Sequence, residues 1–172
     1  MLGDVDRFRT NDIGTAARFA SGSALTVRIL RLDRDLSLPE PALAGDAGMD
    51  LRAREGCALE ASGGRALVPV GIALALPPGV AGLVLPRSGL AARHGVTVVN
   101  APGLIDSGYR GEILVALINT DPKESFVIQR GDRIAQLVLL AVPSVEWDEV
   151  DDVSALGVSD RSAGGFGHSG RS

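Results

Sequence analysis

Short apolar segments, each followed by turn residues, make up most of this chain from residue 66 onward. Proline, glycine, asparagine and aspartate interrupt the apolar runs, as in the sequences Pro-Pro-Gly, Asn-Thr-Asp-Pro and Arg-Gly-Asp. The runs are residues 25–30, 67–76, 80–85, 96–99, 113–118, 126–128 and 134–142. Short strands with turn signals at this spacing indicate an all-β sandwich or barrel. The sequence does not alternate strands with long helices, which argues against a Rossmann or P-loop fold.

Composition limits the classes of protein that the chain can belong to. Its 172 residues suit one domain, and an apolar content of 45% is enough for a hydrophobic core. The net charge of −4 argues against general binding to nucleic acid, so an anionic substrate would need a local cluster of arginines. The single cysteine, Cys57, excludes an internal disulfide framework and a multi-cysteine zinc site, and we expect it to be buried.

The sequence also bears on location and on the limits of the domain. No segment approaches the ~20 apolar residues of a membrane helix, and early charges interrupt any signal-peptide core. We therefore expect a soluble cytoplasmic protein without a membrane partner. Residues 1–24 are predicted to be a flexible extension, residues 25–145 the β domain, and residues 146–172 a C-terminal arm. An acidic run begins the arm, and its Trp147 is expected to dock against the domain.

One short helix is predicted at residues 88–94. Ser88 is a suitable N-cap, and Gly95 stands where a helix commonly ends. Arg87 precedes the helix, and a cation beside the first N–H groups of a helix is suited to bind an anion. The alternative is a short connecting helix with a solvated arginine.

Residues 100–112 lie between two of the strand-like runs. They contain one carboxylate, Asp106, and the only tyrosine of the chain, Tyr109. The sequence Asp-Ser-Gly at residues 106–108 is typical of a turn in which the aspartate caps its own backbone. This pattern predicts a hairpin that holds both side chains at its tip. The alternative is an ordinary charged hairpin with a surface tyrosine.

Two further segments combine glycine with charged residues. Asp50 follows two glycines and enters a strand, where it either caps a turn or lies beside something that the glycines allow to approach. Residues 160–170 contain Arg161, Phe166 and four glycines, which form either a disordered tail or a lid. In a lid, the arginine would hold phosphate and the phenylalanine would stack on a base.

Together these segments suit a nucleotide, because they offer arginines for phosphates, a tyrosine for a sugar and a carboxylate that can activate water. In order and spacing they closely resemble the five motifs of the trimeric dUTPase family. The matching segments are residues 47–51 (Ala-Gly-Met-Asp-Leu), 86–91 (Pro-Arg-Ser-Gly-Leu-Ala), 103–112 (Gly-Leu-Ile-Asp-Ser-Gly-Tyr-Arg-Gly-Glu), 130–137 (Arg-Gly-Asp-Arg-Ile-Ala-Gln-Leu) and 164–167 (Gly-Gly-Phe-Gly).

The resemblance implies a jelly-roll-like β-barrel of the β-clip type, with one short helix and a glycine-rich C-terminal arm. It implies a homotrimer in which the arm of one subunit closes an active site built by the others. The implied reaction is hydrolysis of dUTP to dUMP and pyrophosphate with Mg²⁺. This reaction keeps uracil out of DNA and supplies dUMP for thymidylate synthesis.

The family pattern also implies roles for the residues that carry the resemblance. Asp106 would orient and deprotonate the attacking water, Asp50 would meet the metal through water, and Tyr109 would pack against the deoxyribose. The uracil edge would be read by Asn100 and by the backbone of Leu104, Ile105 and Asp106. The phosphates would be held by Arg87, Ser88, Gly89, Gln136 and Arg161. In the arm, Phe166, followed by Gly167, would cover the base.

Two rival interpretations use the same scaffold. A dCTP deaminase has a related fold and phosphate site, but that family usually carries Arg-Ser-Ser where this chain has Arg-Ser-Gly at residues 87–89. Tyr109 and the Gly-Phe-Gly tail also favour the dUTPase family. A non-catalytic nucleotide-binding or trimeric interaction protein would be indicated by loss of Asp106 or of the tail, and the sequence retains both.

Overall fold

The computed structural model of the protein describes residues 24–157 and residue 159. Within them the chain forms ten β-strands, one α-helix and one 3₁₀ turn. The strands are β1 (Arg28–Arg31), β2 (Met49–Arg52), β3 (Cys57–Leu59), β4 (Arg65–Ala75), β5 (Val80–Leu85), β6 (Val96–Val98), β7 (Gly103–Ile105), β8 (Glu112–Asn119), β9 (Phe126–Ile128) and β10 (Arg133–Ala141). The helix α1 (Ser88–His94) follows β5, and the 3₁₀ turn (Val153–Leu156) follows β10.

Two four-stranded sheets and one two-stranded sheet make up the fold of the described chain. Sheet A has the strand order β1-β4-β8-β6, sheet B has the order β2-β10-β5-β7, and sheet C pairs β3 with β9. Each pairing between these strands is antiparallel. The chain passes repeatedly from one large sheet to the other, which is the all-β, jelly-roll-like architecture that the sequence predicts.

Sheets A and B both supply side chains to the hydrophobic core. Strand β8 shows the expected alternation, because Ile113, Val115 and Leu117 are buried whereas the side chains between them are more exposed. Leu51 and Leu137 belong to the same core from the side of sheet B. Burial of each such aliphatic side chain contributes about 1.5–3 kcal/mol. The aliphatic core agrees with an aromatic content of only 3%.

Among the described residues, Asn119 is the one polar residue that is fully buried. Both the Nδ2 and the Oδ1 of its side-chain amide are hydrogen-bonded. Its Nδ2 donates to the carbonyls of Leu59 and Glu124 at 3.1 and 2.8 Å, and its Oδ1 accepts from the Asp121 N–H at 2.9 Å. These bonds fix the turn after β8 against β3. Loss of such a buried network typically costs about 1–3 kcal/mol for each unsatisfied group.

The structure confirms the longer strands and the helix. The runs at residues 80–85 and 126–128 form β5 and β9 with the predicted bounds, and α1 spans residues 88–94 as expected. The first strand begins at Arg28, three residues later than the predicted run at 25–30. β3 and β7, with three residues each, are not among the predicted runs.

The start of the helix differs from the prediction. Arg87 is the N-cap, in extended conformation, and Ser88 is the first helical residue, without a side-chain capping bond within the described chain. The Arg87 carbonyl already accepts from the N–H groups of Leu90 and Ala91, which places the cap one residue earlier. The end agrees with the prediction, because Gly95 adopts the left-handed conformation with φ 64°.

The segment after β10 is exposed in the described chain, although the Val142 N–H still donates to the Gly79 carbonyl at 2.9 Å. Residues 142–152 have no regular secondary structure. Trp147 is 93% exposed, so the expected docking of this side chain on the domain is wrong for a single chain. Val145, Val153 and Leu156 are also exposed. The segment therefore presents several apolar side chains to its surroundings.

Two smaller expectations concern a cysteine and membrane helices. Cys57 is half-buried rather than buried; it packs against the core from β3, and desolvation raises the pKa of its thiol. Across residues 24–157, the chain forms no helix with the length and apolar character needed to cross a membrane.

Gly71 interrupts the pairing of β4 with β8. Four steps along β4, from Pro69 to Ala73, oppose only two steps along β8, so β4 bulges at this point. Gly71 has φ 72°, a conformation that glycine adopts without strain. A Cβ at this position would lie 2.9 Å from the Cβ of Asp33, so the position also has no room for a side chain.

The turn after β1 docks on this bulge. The N–H groups of Leu32 and Asp33 donate to the Gly71 carbonyl at 2.8 and 3.2 Å. Arg130, from the loop between β9 and β10, forms an ion pair with the Asp33 carboxylate. The hydrogen bond from this guanidinium lowers the pKa of the Asp33 carboxyl from 3.8 to about 2. Strand β1 and the β9–β10 loop are thereby joined at one point of sheet A.

We expect Asp33→Asn to lower the melting temperature by about 2–5 °C at pH 7, because asparagine keeps the shape but loses the charge. The folded pKa is below the ordinary value of 3.8, so the ion pair stabilises the protein above that pH. The difference between wild type and variant should shrink as pH falls from 3.8 to about 2. Calorimetry across this pH range measures the difference in melting temperature. A difference that stays constant with pH would contradict the stabilising role of the Asp33–Arg130 ion pair.

Candidate active site

A polar cavity of about 330 Å³ lies at the β2 edge of sheet B. We call it the anion cavity, because two arginines and the start of α1 line it. Its polar lining residues are Asp46, Asp50, Arg87, Ser88, Arg133 and Gln136. Gly89 also contributes to the wall. The structure thus brings together four of the predicted phosphate-binding residues and the predicted metal residue.

Asp50 is held between two arginines. Its Oδ1 lies 3.2 Å from Nε of Arg87, and its Oδ2 lies 3.1 Å from Nη1 of Arg133. The Asp50 side chain is only 17% exposed, so solvent screens these ion pairs incompletely. Arg87 also donates from Nη1 to the carbonyl of Arg133 at 2.8 Å. Asp50 is therefore a strand residue at the centre of an ion-pair cluster, and not the cap of a turn.

The glycine before β2 makes room for Gln136. A Cβ at Gly48 would lie 2.3 Å from Oε1 of Gln136, far inside van der Waals contact. The Nε2 of Gln136 donates to the carbonyl of Pro86 at 2.9 Å, which holds the amide against the segment that carries Arg87. The sequence predicts that something approaches the backbone closely at these glycines, and at Gly48 it is the side chain of Gln136.

Arg133 is the residue of this cavity to which the sequence pattern assigns no role. In a regular strand, Arg133 and Gln136 would face opposite sides. The pairing of β10 with β2 shifts between Arg133 and Ala135, so one extra residue on β10 brings Arg133 to the face of Gln136. The sequence offers one clue to this residue, because Arg133 follows Gly-Asp at the start of a predicted strand. The bulge that turns Arg133 toward the cavity depends on pairing with a distant strand, so the sequence does not reveal it.

A second cavity, of about 210 Å³, lies at the opposite edge of sheet B. We call it the β7 cavity. Its lining includes all the predicted base-reading and sugar-binding residues, which are Asn100, Leu104, Ile105, Asp106 and Tyr109. Gly103 and parts of β8 complete the wall. The two cavities share no lining residue among those described.

β7 is an edge strand, so one row of its backbone N–H and C=O groups is not used in pairing with β5. Leu104 is 63% exposed, whereas Ile105 is 7% exposed and belongs to the core. Ile105 can therefore meet a ligand only through its backbone. The Nδ2 of Asn100 lies 3.4 Å from the position that a Cβ of Gly103 would occupy, so the amide covers the start of β7.

The predicted hairpin at residues 100–112 exists, but its tip is not a free loop. Its two arms, β6 and β8, pair antiparallel with Val98 opposite Leu117. The connecting segment crosses to sheet B, where β7 pairs with β5. The wall of the β7 cavity is therefore fixed to both sheets.

Tyr109 is oriented by its neighbours in sequence. Its hydroxyl donates to the carbonyl of Glu112 at 2.9 Å, and its ring lies over Gly111. A Cβ at Gly111 would lie 2.5 Å from the hydroxyl oxygen and 2.8 Å from Cζ of Tyr109. The Gly-Tyr-Arg-Gly sequence thus leaves space for a ring that remains 45% exposed to a ligand.

Asp106 does not cap its turn. The turn is closed by the backbone, with the Tyr109 N–H donating to the Asp106 carbonyl at 3.0 Å. Arg110 supports it by donating from Nη1 to the carbonyls of Ser107 and Tyr109, at 2.6 and 2.7 Å. Among the residues that the structure describes, the Asp106 carboxylate has no hydrogen-bond or ion-pair partner. It is therefore free to accept a proton from a bound molecule.

The remaining predicted residues, Arg161, Phe166 and Gly167, lie outside the described residues. Within residues 24–157, no group of three or more His, Cys, Asp or Glu side chains could hold a metal ion by itself.

Comparison with known proteins places this geometry in a family. The dUTPase family model matches residues 34–170, which include both cavities. The chain belongs to the dUTPase family. A deoxyuridine 5′-triphosphate nucleotidohydrolase of Thermobifida fusca is 58% identical over 144 residues, covering 84% of this chain and 78% of that protein. One from Mycobacterium tuberculosis is 54% identical over 143 residues, covering 83% of this chain and 92% of that protein.

Solved dUTPase structures share the fold. The dUTPase of Staphylococcus bacteriophage 80alpha, solved with dUPNHPP, superposes with a TM-score of 0.77 at 27% identity, covering 86% of this chain and all of that one. The dUTPase-like form of the predicted fold is thereby confirmed.

Gly111→Ala should displace the Tyr109 ring, because the new Cβ would overlap its hydroxyl oxygen at 2.5 Å. Tyr109 is the only tyrosine, so isotope-labelled tyrosine gives one set of ring signals in an NMR spectrum. We expect these signals to shift in Gly111→Ala. The matched control is Gly108→Ala, where a new Cβ meets no described atom within 4 Å other than those of its two chain neighbours, so the signals should shift much less than in Gly111→Ala. Equal spectra for the two variants would contradict the packing.

Proposed function

We propose that this protein hydrolyses dUTP to dUMP and pyrophosphate. The observation that carries the proposal is the β7 cavity, where an edge-strand backbone, an oriented tyrosine and an unpaired carboxylate meet in a chain of the dUTPase family. The relatives named deoxyuridine 5′-triphosphate nucleotidohydrolase, at 58% and 54% identity, support it. The reaction would keep uracil out of DNA and supply dUMP for thymidylate synthesis.

The backbone of β7 suits recognition of uracil. Uracil and cytosine present reversed donors and acceptors at two adjacent positions of the base edge, because uracil has N3–H and O4 where cytosine has an unprotonated N3 and a 4-amino group. Fixed N–H and C=O groups of Leu104, Ile105 and Asp106, with the Asn100 amide, can match only one of these patterns. The wrong base would leave buried polar groups unpaired, which can reduce kcat/KM by about 10⁴-fold.

Tyr109 would select the sugar, and Asp106 would activate the water. A ring held by the Glu112 carbonyl can pack against deoxyribose and leave no space for a 2′-hydroxyl. The Asp106 carboxylate has no described partner to satisfy it, so it can orient a water and take its proton as a general base. The backbone bond that closes the turn keeps this carboxylate in place without occupying it.

The anion cavity would hold the triphosphate. Arg87, Ser88, Gly89 and Gln136 offer a guanidinium, a hydroxyl, a backbone N–H and an amide. Phosphate oxygens can replace Asp50 as the partner of Arg87, because both are acceptors for the same guanidinium. In the C-terminal arm, residues 146–172, Arg161 would reach the terminal phosphate, and Phe166 and Gly167 would cover the base.

The residues of the anion cavity fit Mg²⁺ if the ion is held through water rather than by direct carboxylate bonds. Both oxygens of Asp50 already face guanidinium groups, and Asp46 is the other carboxylate of the lining. Direct binding by several carboxylates is therefore not available. Mg²⁺ keeps several waters and prefers phosphate oxygens, so Asp50 would hold it through water. When bound, the ion would supply neutralisation of the phosphate charge.

We expect a homotrimer in which each site combines the two cavities from different copies. They lie at the β7 and β2 edges of sheet B, three strand spacings apart, which is about 14 Å. A nucleotide could bridge the β7 cavity of one copy and the anion cavity of the next. Apolar side chains exposed on the single chain are suited to contacts between copies; they include Leu67, Leu104 and Trp147, at 61%, 63% and 93% exposure. The arm would then close a site of a neighbouring subunit.

Purified protein should release pyrophosphate from dUTP in preference to dCTP, dTTP and UTP when Mg²⁺ is present, by a factor of about 10³ or more in kcat/KM. A coupled assay measures pyrophosphate, and the same samples are tested for ammonia. Ammonia from dCTP would indicate a deaminase instead. Absence of pyrophosphate from all four nucleotides would remove the proposed reaction.

Asp106→Asn and Arg87→Gln should each reduce turnover strongly, the former by about 10³-fold through loss of the general base. Co-expression of the two variants in equal amounts should restore about a quarter of wild-type activity, because random mixing returns that share of sites with both residues intact. Each variant alone is the control. Failure of the mixture to exceed the single variants, although both chains co-purify, would place the whole site within one chain.

A further inference from the structure

We infer that Glu112 is a positioning residue for sugar selection, because its carboxylate fixes the backbone that holds the Tyr109 ring. This inference rests on the proposed reaction, in which Tyr109 excludes a 2′-hydroxyl. Glu112 is outside the set of residues expected to touch the nucleotide. It acts through contacts with the Gly71 bulge and with Arg54, which do not line the β7 cavity.

The Glu112 carboxylate is bound on two sides. Its Oε1 accepts from the Gly71 N–H at 2.8 Å, which the bulge in β4 directs toward it. Nη1 of Arg54 donates to both carboxylate oxygens, at 3.3 and 3.1 Å. The Glu112 side chain is 22% exposed, so these bonds lie in a partly desolvated place where they are stronger than on an open surface.

The main chain of the same residue holds the tyrosine. The Glu112 carbonyl accepts the Tyr109 hydroxyl at 2.9 Å, and Gly111 between them leaves no space for a side chain under the ring. Glu112 is also the first residue of β8 and pairs with Ala73 just beyond the bulge. A movement of Glu112 therefore moves the acceptor of the Tyr109 hydroxyl.

The contacts around Arg54 make it possible to distinguish the role of Glu112 from a general effect on the stability of the fold. Arg54 lies 3.9 Å from Asp33 on its other side, and Asp33 forms its ion pair with Arg130. Asp33 and Arg130 stabilise the turn after β1 and both contact Arg54, but among the described residues neither of them contacts Glu112 or Tyr109 directly. Loss of Asp33 should weaken the fold, whereas loss of Glu112 should also release the ring.

Steric exclusion of a hydroxyl depends on small distances. A displaced ring would leave space beside the sugar, while the groups proposed to hold the base and the phosphates are unchanged. The loss of Glu112 should therefore change the discrimination between dUTP and UTP more than it changes turnover of dUTP. A purely structural role would affect stability and leave this discrimination unaltered.

The test compares Glu112→Ala, Glu112→Gln and Arg54→Met with the control Asp33→Asn. The measured quantity is the ratio of kcat/KM for dUTP to that for UTP. We expect this ratio to fall by about 10-fold in Glu112→Ala and by less in Glu112→Gln, whose amide oxygen can still accept from the Gly71 N–H. Arg54→Met should lie between them. Asp33→Asn should lower the melting temperature without changing the ratio.

Labelled Tyr109 provides a second readout that does not depend on activity. Its ring signals should shift in the Glu112 variants and stay in place in Asp33→Asn. A dUTP-to-UTP ratio within twofold of wild type, with unshifted tyrosine signals in Glu112→Gln and Arg54→Met, would overturn the inference even if Glu112→Ala failed to fold. A wild-type protein that is inactive on dUTP would instead overturn the proposed function, and the tyrosine signals would still decide whether Glu112 holds the ring.

Discussion

Hydrogen bonding on both edges of β5 determines where the two cavities lie. On one edge, Gln136 of β10 pairs with Leu85; on the other, Gly103 of β7 pairs with Val84. A slip of one residue in either register would turn every side chain of that strand to the opposite face. Since the inward face of β5 is buried in the core, such a slip is strongly disfavoured. The anion cavity and the β7 cavity therefore keep a fixed relation to each other.

Two carboxylates of the site differ in their surroundings, and their proposed roles follow from that difference. Asp50 has a guanidinium on each oxygen and is mostly enclosed, so it organises Arg87 and Arg133 before any phosphate arrives. Asp106 stands at a turn that the backbone closes, and its carboxylate is unpaired within the described chain. A paired carboxylate suits the orientation of cations, whereas an unpaired one suits proton transfer. The environment separates the two functions.

The sequence predicted the all-β fold, the helix and several of the residues that line the two cavities, because these depend on local patterns. Val80–Leu85 and Phe126–Ile128 are apolar runs with clear turn signals at their ends. It did not predict β7, which has three residues and exists only because β5 offers an edge. The capping role of Ser88 and the turn-capping role of Asp106 were wrong, since backbone groups of Arg87 and Asp106 already satisfy those positions.

The sequence by itself determined which chemical groups are available, because the motifs fix residue types and short spacings. It identified Arg87 and the amide of Gln136 in the anion cavity, the tyrosine and the carboxylate of residues 103–112, and the family that combines them. Only the tertiary structure decided which groups share a cavity. The bulge in β10 turns Arg133 toward Asp50, and the bulge at Gly71 turns an N–H toward Glu112. Both bulges arise from pairing between distant strands, and no local pattern in the chain encodes the face on which a side chain emerges after them.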